Sequence, residues 1–144
     1  MKIAAKVLVL GLIMAGGIAL AEGAADPEVK ARQELMDANG AAMKVLGEMA
    51  SGKTAFDAAA AEAAKKALVD DSAMIEEKFK NEAADPASHA KPAIWTAWDD
   101  FAAKAKDLNI AAAALDASSL DGLKAGLGNI GGACKACHTA YKAS

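Results

Sequence analysis

This 144-residue sequence predicts an all-α fold, an antiparallel up-down-up-down four-helix bundle. Three observations carry that prediction. Alanine dominates the chain after its first twenty or so residues, and β-branched runs are absent there. Proline and glycine gather at a few places and divide what remains into four long helical stretches. The connections within the first pair and within the last pair of stretches are short, which makes sequential helices antiparallel neighbours. The segments share no common motif, so the pattern is not that of a repeat array.

The chain opens MKIAAKVLVLGLIMAGGIALAEG. Lys2 and Lys6 form a positive start, an apolar run follows from Val7 to Ile18, and Ala19-Leu20-Ala21 places small residues where a signal peptidase reads them. Residues 1–21 therefore read as a cleaved signal peptide and residues 22–144 as one domain. The run is too short and too glycine-rich for a comfortable membrane span, so no anchor is expected after cleavage.

The first helix is expected from about Pro27 to Met49, with Asp26 as N-cap and Pro27 at the first helical position. Ser51-Gly52-Lys53 breaks it. The second starts near the capping-box pattern Thr54-Ala55-Phe56-Asp57 and runs to about Lys80. A polar loop from Asn81 to Lys91 holds Pro86 and His89. The third helix runs from about Pro92 to Leu115. Ser118-Ser119-Leu120-Asp121 caps the fourth, which continues to about Lys142.

Without Lys2 and Lys6, fourteen basic residues face nineteen acidic ones, a formal charge of −5. That balance argues against nucleic acid as a partner and points generically to a partner with a basic patch. The chain has only six aromatic residues, and alanine fills many inward positions. Alanine buries little area, so a large apolar prosthetic group would complete such a core.

The segment GGACKACHTAYK carries the chemistry. Cys134 and Cys137 are the only cysteines, and His138 follows the second directly. Residues three and four apart share a helix face, so both sulfurs and the imidazole project the same way, into the bundle. The pattern C-x-x-C-H is the attachment signature of haem c: each thiol becomes a thioether and the histidine reaches the iron as an axial ligand. A disulfide would close only a tiny loop and stabilise little. A thioredoxin-like pair expects a strand before a helix start. Zinc needs further ligands, for which His89 is the only other soft candidate. Covalent haem is the expected cofactor.

A C-x-x-C-H motif on the last of four helices resembles the class II cytochromes c, the cytochrome c prime family. The resemblance spans essentially the whole of residues 22–144 and is carried by KARQELMDANGAAMKVLGEMASGKTAFD, KPAIWTAWDDF and IGGACKACHTAYK. It implies one haem bound through Cys134 and Cys137, with His138 on the iron. The family divides by the residue facing the iron's other side. A bulky non-ligating residue leaves five-coordinate, high-spin iron that binds small gases; a methionine makes it six-coordinate and low-spin. Met36, in ELMDANG, resembles the second group.

Val29, Arg32, Met36, Gly40 and Met43 fall on one narrow helical face. Spacing alone leaves Met36 either core filler or ligand, because methionine at helical spacing often fills core. The resemblance selects the ligand role and leaves Met43 as haem-contacting core. Gly40, one turn past Met36, would let backbone approach a flat ring. Arg32, the only arginine, corresponds to a family arginine that pairs with a haem propionate. Lys142 corresponds to a basic residue lying over the ligand histidine. Trp95 and Trp98 suit either core or haem, Met49 and Met74 read as packing, and His89 reads as exposed with no ligand role.

The expected function is single-electron transfer by a periplasmic, low-spin His/Met-ligated monohaem cytochrome, not an enzyme. It would serve redox partner proteins and could form a homodimer. The alternatives are a five-coordinate, gas-binding cytochrome c prime and a haem-free exported helical protein with a disulfide or metal at the cysteines. No membrane or nucleic acid is expected as a partner.

Overall fold

The computed structural model describes residues 23–144; the signal-peptide reading lies outside them. Among the described residues there are six helical elements: α1 Pro27–Ala50, α2 Ala58–Ala73, α3 Ile75–Phe79, α4 Ala93–Thr96, α5 Trp98–Ala113 and α6 Leu120–Tyr141. The short α3 continues α2 and the short α4 leads into α5, giving the four expected columns. α1 packs on α2, α2 on α5, α5 on α6, and α6 back on α1. That closed ring of sequential neighbours is the up-down-up-down bundle.

The caps act as their residue types dictate. Asp26 accepts from the backbone N–H of Glu28 and Val29 at the start of α1, and Ser119 accepts from Gly122 N–H at the start of α6. α1 ends at a turn where Gly52 takes φ 77°, the left-handed conformation glycine adopts without steric cost.

Two elements differ from the sequence expectation. The second column starts at Ala58 rather than Thr54: Asp57 is the N-cap, and Thr54 N–H instead bonds back to Glu48 O at 3.1 Å, closing the preceding turn. That column also breaks at Met74, and the third breaks at Ala97 (φ −128°, ψ 46°). Near the first break, Ser72 Oγ donates back to Val69 O and accepts from Asn109 Nδ2 of α5, so the side chain competes with the helix's own bonding. Beyond it, Ile75 and Phe79 turn into the core, while Met74 is 39% exposed rather than packed.

The core runs through the ring's centre. Leu46, Leu68, Leu115, Leu123 and Ile130 are buried completely or nearly so, with Ala61, Ala112 and Ala117 between them. Small side chains let the helices approach closely here. A Cβ on Gly126 would stand 2.8 Å from the Leu115 side chain, and one on Gly122 2.3 Å from the Asp116 carboxylate. Phe101 forms the hub of an aromatic group, with ring centres 5.3 Å from Phe79, 5.5 Å from Trp98 and 5.4 Å from Tyr141.

The loop between α3 and α4 ties the starts and ends of other columns together. The Asp85 carboxylate accepts from Ala25 and Asp26 N–H, just before α1. Gln33 Nε2 donates to Ala87 O. At the other side, Lys91 N–H donates to Tyr141 O at 2.9 Å and Ala143 N–H to His89 O at 2.8 Å, so the loop grips the end of α6. Among the described residues, no helix is long and apolar enough to cross a membrane.

Candidate functional site

A cleft of about 660 Å³ opens between α1, α3, α5, α6 and the 80–92 loop. Its size falls within the ~300–1,000 Å³ range of small-molecule and cofactor sites. α1 contributes Val29, Arg32, Met36, Gly40 and Met43, the whole face that the helical spacing predicts. α6 contributes Cys134, Cys137, His138 and Tyr141. The two groups of candidate residues, about a hundred positions apart, therefore line one space.

The thiols stand separately and half-buried, and burial pushes both above the usual cysteine range. His138 is held below the usual histidine range, first by desolvation and then by the positive charge of Lys142, so its imidazole favours the neutral form that a metal needs. Among the described residues no group of three or more His, Cys, Asp or Glu side chains is arranged to hold a metal ion.

Arg32 is 3% exposed. Its Nε donates to Lys78 O at 2.9 Å, and one terminal nitrogen donates to Asn81 O and lies 3.5 Å from Glu28. The guanidinium carbon sits 5.2 Å from the centre of the Phe79 ring and 5.3 Å from that of Trp95. Desolvation lowers its pKa, opposed by Glu28 and Asp26, and a guanidinium remains charged regardless. The other terminal nitrogen, Nη1, is buried with no hydrogen-bond partner, on a residue that lines the cleft. Gly40 also lines the cleft, and a Cβ placed there would meet nothing within 4 Å.

Several residues missed by the sequence reading belong to the walls: Phe79, Phe101, Lys104, Ala105, Leu108 and Tyr141. The regular spacing of Phe101, Ala105 and Leu108 on α5 was a usable signal; the position of Phe79 depended on the unforeseen break at Met74. Tyr141 donates to the Asp100 carboxylate at 2.5 Å, which also binds Lys104 at 3.2 Å, so α5 and α6 are clipped together beside the cysteines. That bond pushes Tyr141 up to about 12. Trp95 and Trp98 do not line the cleft. Both pack against the core, and Trp95 Nε1 donates to Phe79 O at 2.8 Å. His89 is exposed, as expected of the loop, and stands at the cleft's rim. Lys142 lies on the same rim.

Residues 27–142 match the family model described as Cytochrome C'. The chain belongs to the cytochrome c prime family. It is 30% identical over 145 residues to cytochrome c-556 of Agrobacterium fabrum, covering 99% of this chain and 95% of that one. Among solved structures it resembles an NMR-validated model of oxidised R. palustris cytochrome c556, with TM-score 0.74, 29% identity, and coverage of 82% of this chain and 97% of that one. It also resembles a nitric oxide complex of a cytochrome c prime variant from Alcaligenes xylosoxidans, with TM-score 0.72, 29% identity, and coverage of 81% and 94%.

As a member of this family the chain is a haem-bearing electron-transfer protein, and its cofactor is covalently attached haem c. The cleft fits that group on its own evidence. It is large and mostly apolar, the wall residue Arg32 has a buried guanidinium nitrogen without a partner, a donor type suited to a carboxylate, and Gly40 leaves one wall open to a flat ring.

Proposed function

We propose that the chain is a periplasmic, low-spin monohaem cytochrome that carries single electrons. Cys134 and Cys137 would hold the haem through thioethers, His138 and Met36 would be the axial iron ligands, and Arg32 would pair with a propionate. The observation that carries this reading is the presence of Met36 in the same cleft as the C-x-x-C-H face. Met36 is partly buried and packed against the core, so its thioether would be held by a helix rather than by a mobile loop. The unpartnered Nη1 of Arg32 supports the propionate role.

When bound, the haem supplies the electron-carrying chemistry; the chain supplies ligands, orientation and a dry apolar wall. A ligand set retained in both oxidation states leaves no open position for substrate, so no catalysis is proposed. The basic n-region, the apolar run and Ala19-Leu20-Ala21 support export and cleavage after Ala21, placing residues 22–144 in the periplasm. Alanine-rich faces on α1 and α2 suit a homodimer.

A second reading is a five-coordinate, gas-binding protein with Met36 packed beside open iron. The similarity to a cytochrome c prime solved with nitric oxide favours it. The absorption spectrum of oxidised protein separates the two. Low-spin iron with a weak sulfur-to-iron band in the near infrared is expected; a high-spin spectrum without that band rejects Met36 ligation and supports gas binding.

A further inference from the structure

Among the polar side chains of the cleft wall, Asn39 is not accounted for by haem attachment. It lies on α1 three residues after Met36 and four before Met43, so its side chain neighbours both on the helix surface. It is 6% exposed and lines the cleft. Its neighbours on the other flank, Leu35 and Ala42, belong to the closed core. Asn39 therefore sits on the seam between core and cleft.

One bond fixes how its amide is turned. Nδ2 donates to Leu35 O, four residues back, at 2.9 Å. Turning the amide over would set its oxygen against that carbonyl, so Oδ1 is the group left over. Oδ1 is buried and has no hydrogen-bond partner among the described residues. An unpaired acceptor in apolar surroundings is costly, and folded proteins meet such groups with a donor.

The cleft walls supply none. Gln33 Nε2 donates to Ala87 O, and Tyr141 and Lys104 both donate to Asp100. Arg32 stands seven residues earlier on α1, about 10 Å along the helix axis. The loop bearing Ser88 and His89 meets α1 at Gln33, six residues before Asn39, and holds the end of α6 to itself through Ala143. These donors thus gather at the Arg32 end of the wall. Haem c adds no donor, since its edge carries apolar groups and ionised propionates that accept. The donor must be a small molecule from solvent.

We propose that Asn39 Oδ1 holds one buried water on the α1 wall, that this water directs its second hydrogen to the Met36 thioether, and that it thereby raises the reduction potential of the haem. The inference rests on the reading of Met36 as an iron ligand. A buried water needs at least two polar partners; Oδ1 is one, and a thioether sulfur is a weak second. The bond to Leu35 O tilts the Asn39 side chain toward the turn that carries Met36 and away from Met43. A hydrogen directed at the sulfur draws electron density from it. Ferric iron depends on that density more than ferrous iron does, so the reduced state gains. Asn39 is a positioning residue here, acting through Met36.

Three measurements on the holoprotein test it. A crystal structure that shows ordered solvent should place a water ~2.5–3.0 Å from Asn39 Oδ1. No water there, or a side chain or propionate in its place, overturns the proposal. Voltammetry of Asn39→Leu should give a potential below the parent's, with the iron still low-spin. The expected fall is about threefold in the equilibrium constant for reduction, or ~28 mV at about 59 mV per tenfold for one electron. An unchanged or raised potential overturns the proposal. Asn39→Ser keeps a hydroxyl that can hold the water, and its potential should fall by less than half as much. A fall equal to that of Asn39→Leu would assign the effect to packing and also overturn it. The parent crystal structure decides the matter even where a variant does not fold. The oxidised spectrum judges Met36 ligation and the density beside Oδ1 judges the water, so the two fail separately.

Discussion

The two ends of this bundle are built from the same helices by opposite means. At one end Leu46, Leu68, Ala112, Leu115 and Leu123 are all at most 2% exposed, and Gly122 and Gly126 sit so close to Leu115 and Asp116 that a Cβ would collide. At the other, Gly40 faces open space, Met36 and Met43 are only partly buried, and a cleft of about 660 Å³ separates the helices. The closed end is held by apolar contact. The open end is held by polar ties: Asp85 to the start of α1, Arg32 to the carbonyls of Lys78 on α3 and Asn81 just after it, His89 and Lys91 to the end of α6, and Tyr141 to Asp100. An alanine-rich composition therefore does not mean a weak core. It means close helices where nothing is enclosed, and a core left for the haem to complete where something is.

The largest effect should come from the cysteines. Cys134→Ala combined with Cys137→Ala abolishes covalent attachment, and intact-protein mass should fall by one haem beyond the change in side chains. Hydrogen exchange in that variant should show the first half of α1 and the second half of α6 losing protection, with Leu46, Leu68 and Leu123 amides retaining theirs. Uniform loss of protection would mean that the closed end is not self-sufficient.

Leu68→Ala strikes the closed end. Leu68 is fully buried, so the substitution should cost ~2–5 kcal/mol by denaturant unfolding. The spectrum of the folded holoprotein should be unchanged, because Leu68 does not line the cleft.

Arg32→Gln should act on both stability and potential. It removes charge-assisted bonds to Lys78 O and Asn81 O, worth roughly 1.5–3 kcal/mol each by the usual range for such bonds and less once Gln re-forms part of the pairing. It also removes a positive charge from the cleft wall; with Arg32 paired to a propionate as proposed, that carboxylate would be left uncompensated, which favours ferric iron and lowers the reduction potential. An unchanged potential in voltammetry would restrict Arg32 to its loop contacts.

The smallest effect is the Tyr141–Asp100 bond. It holds Asp100 below the usual carboxylate range and Tyr141 up at about 12. The depressed carboxyl contributes stability that is full above its unfolded pKa of ~3.9 and lost as pH falls through the folded value. The raised phenol contributes stability that is full below its unfolded pKa of ~10 and lost as pH rises through the folded one. Tyr141→Phe should therefore lie furthest below the parent between those limits, with the two curves converging in acid and in alkali. A constant offset across the whole range would assign the loss to packing alone.

Much of this was legible in the sequence because it rests on local rules. Asp26 and Ser119 cap the helices their positions suggest, and the 3.6-residue period alone brings Val29, Arg32, Met36, Gly40 and Met43 to one wall. The C-x-x-C-H motif marks its own face. What was not legible depends on tertiary contact. The breaks at Met74 and Ala97 carry no glycine or proline; past the first, Ile75 and Phe79 are buried, and past the second, Phe101 and Ala105. The loop's grip on α1 and α6 uses backbone carbonyls, which have no sequence signature. The second set of bonds made by Arg32 is invisible for the same reason.

The most direct test is the contrast between Met36→Ala and Met43→Leu in carbon monoxide binding to reduced protein. Both residues line the cleft, and they differ only in the proposed ligand role. Parent protein and Met43→Leu should bind the gas poorly, because the latter removes only packing, while Met36→Ala should bind it readily and turn largely high-spin. A parent that already binds carbon monoxide readily, with a Met36→Ala spectrum like its own, would contradict six-coordinate iron.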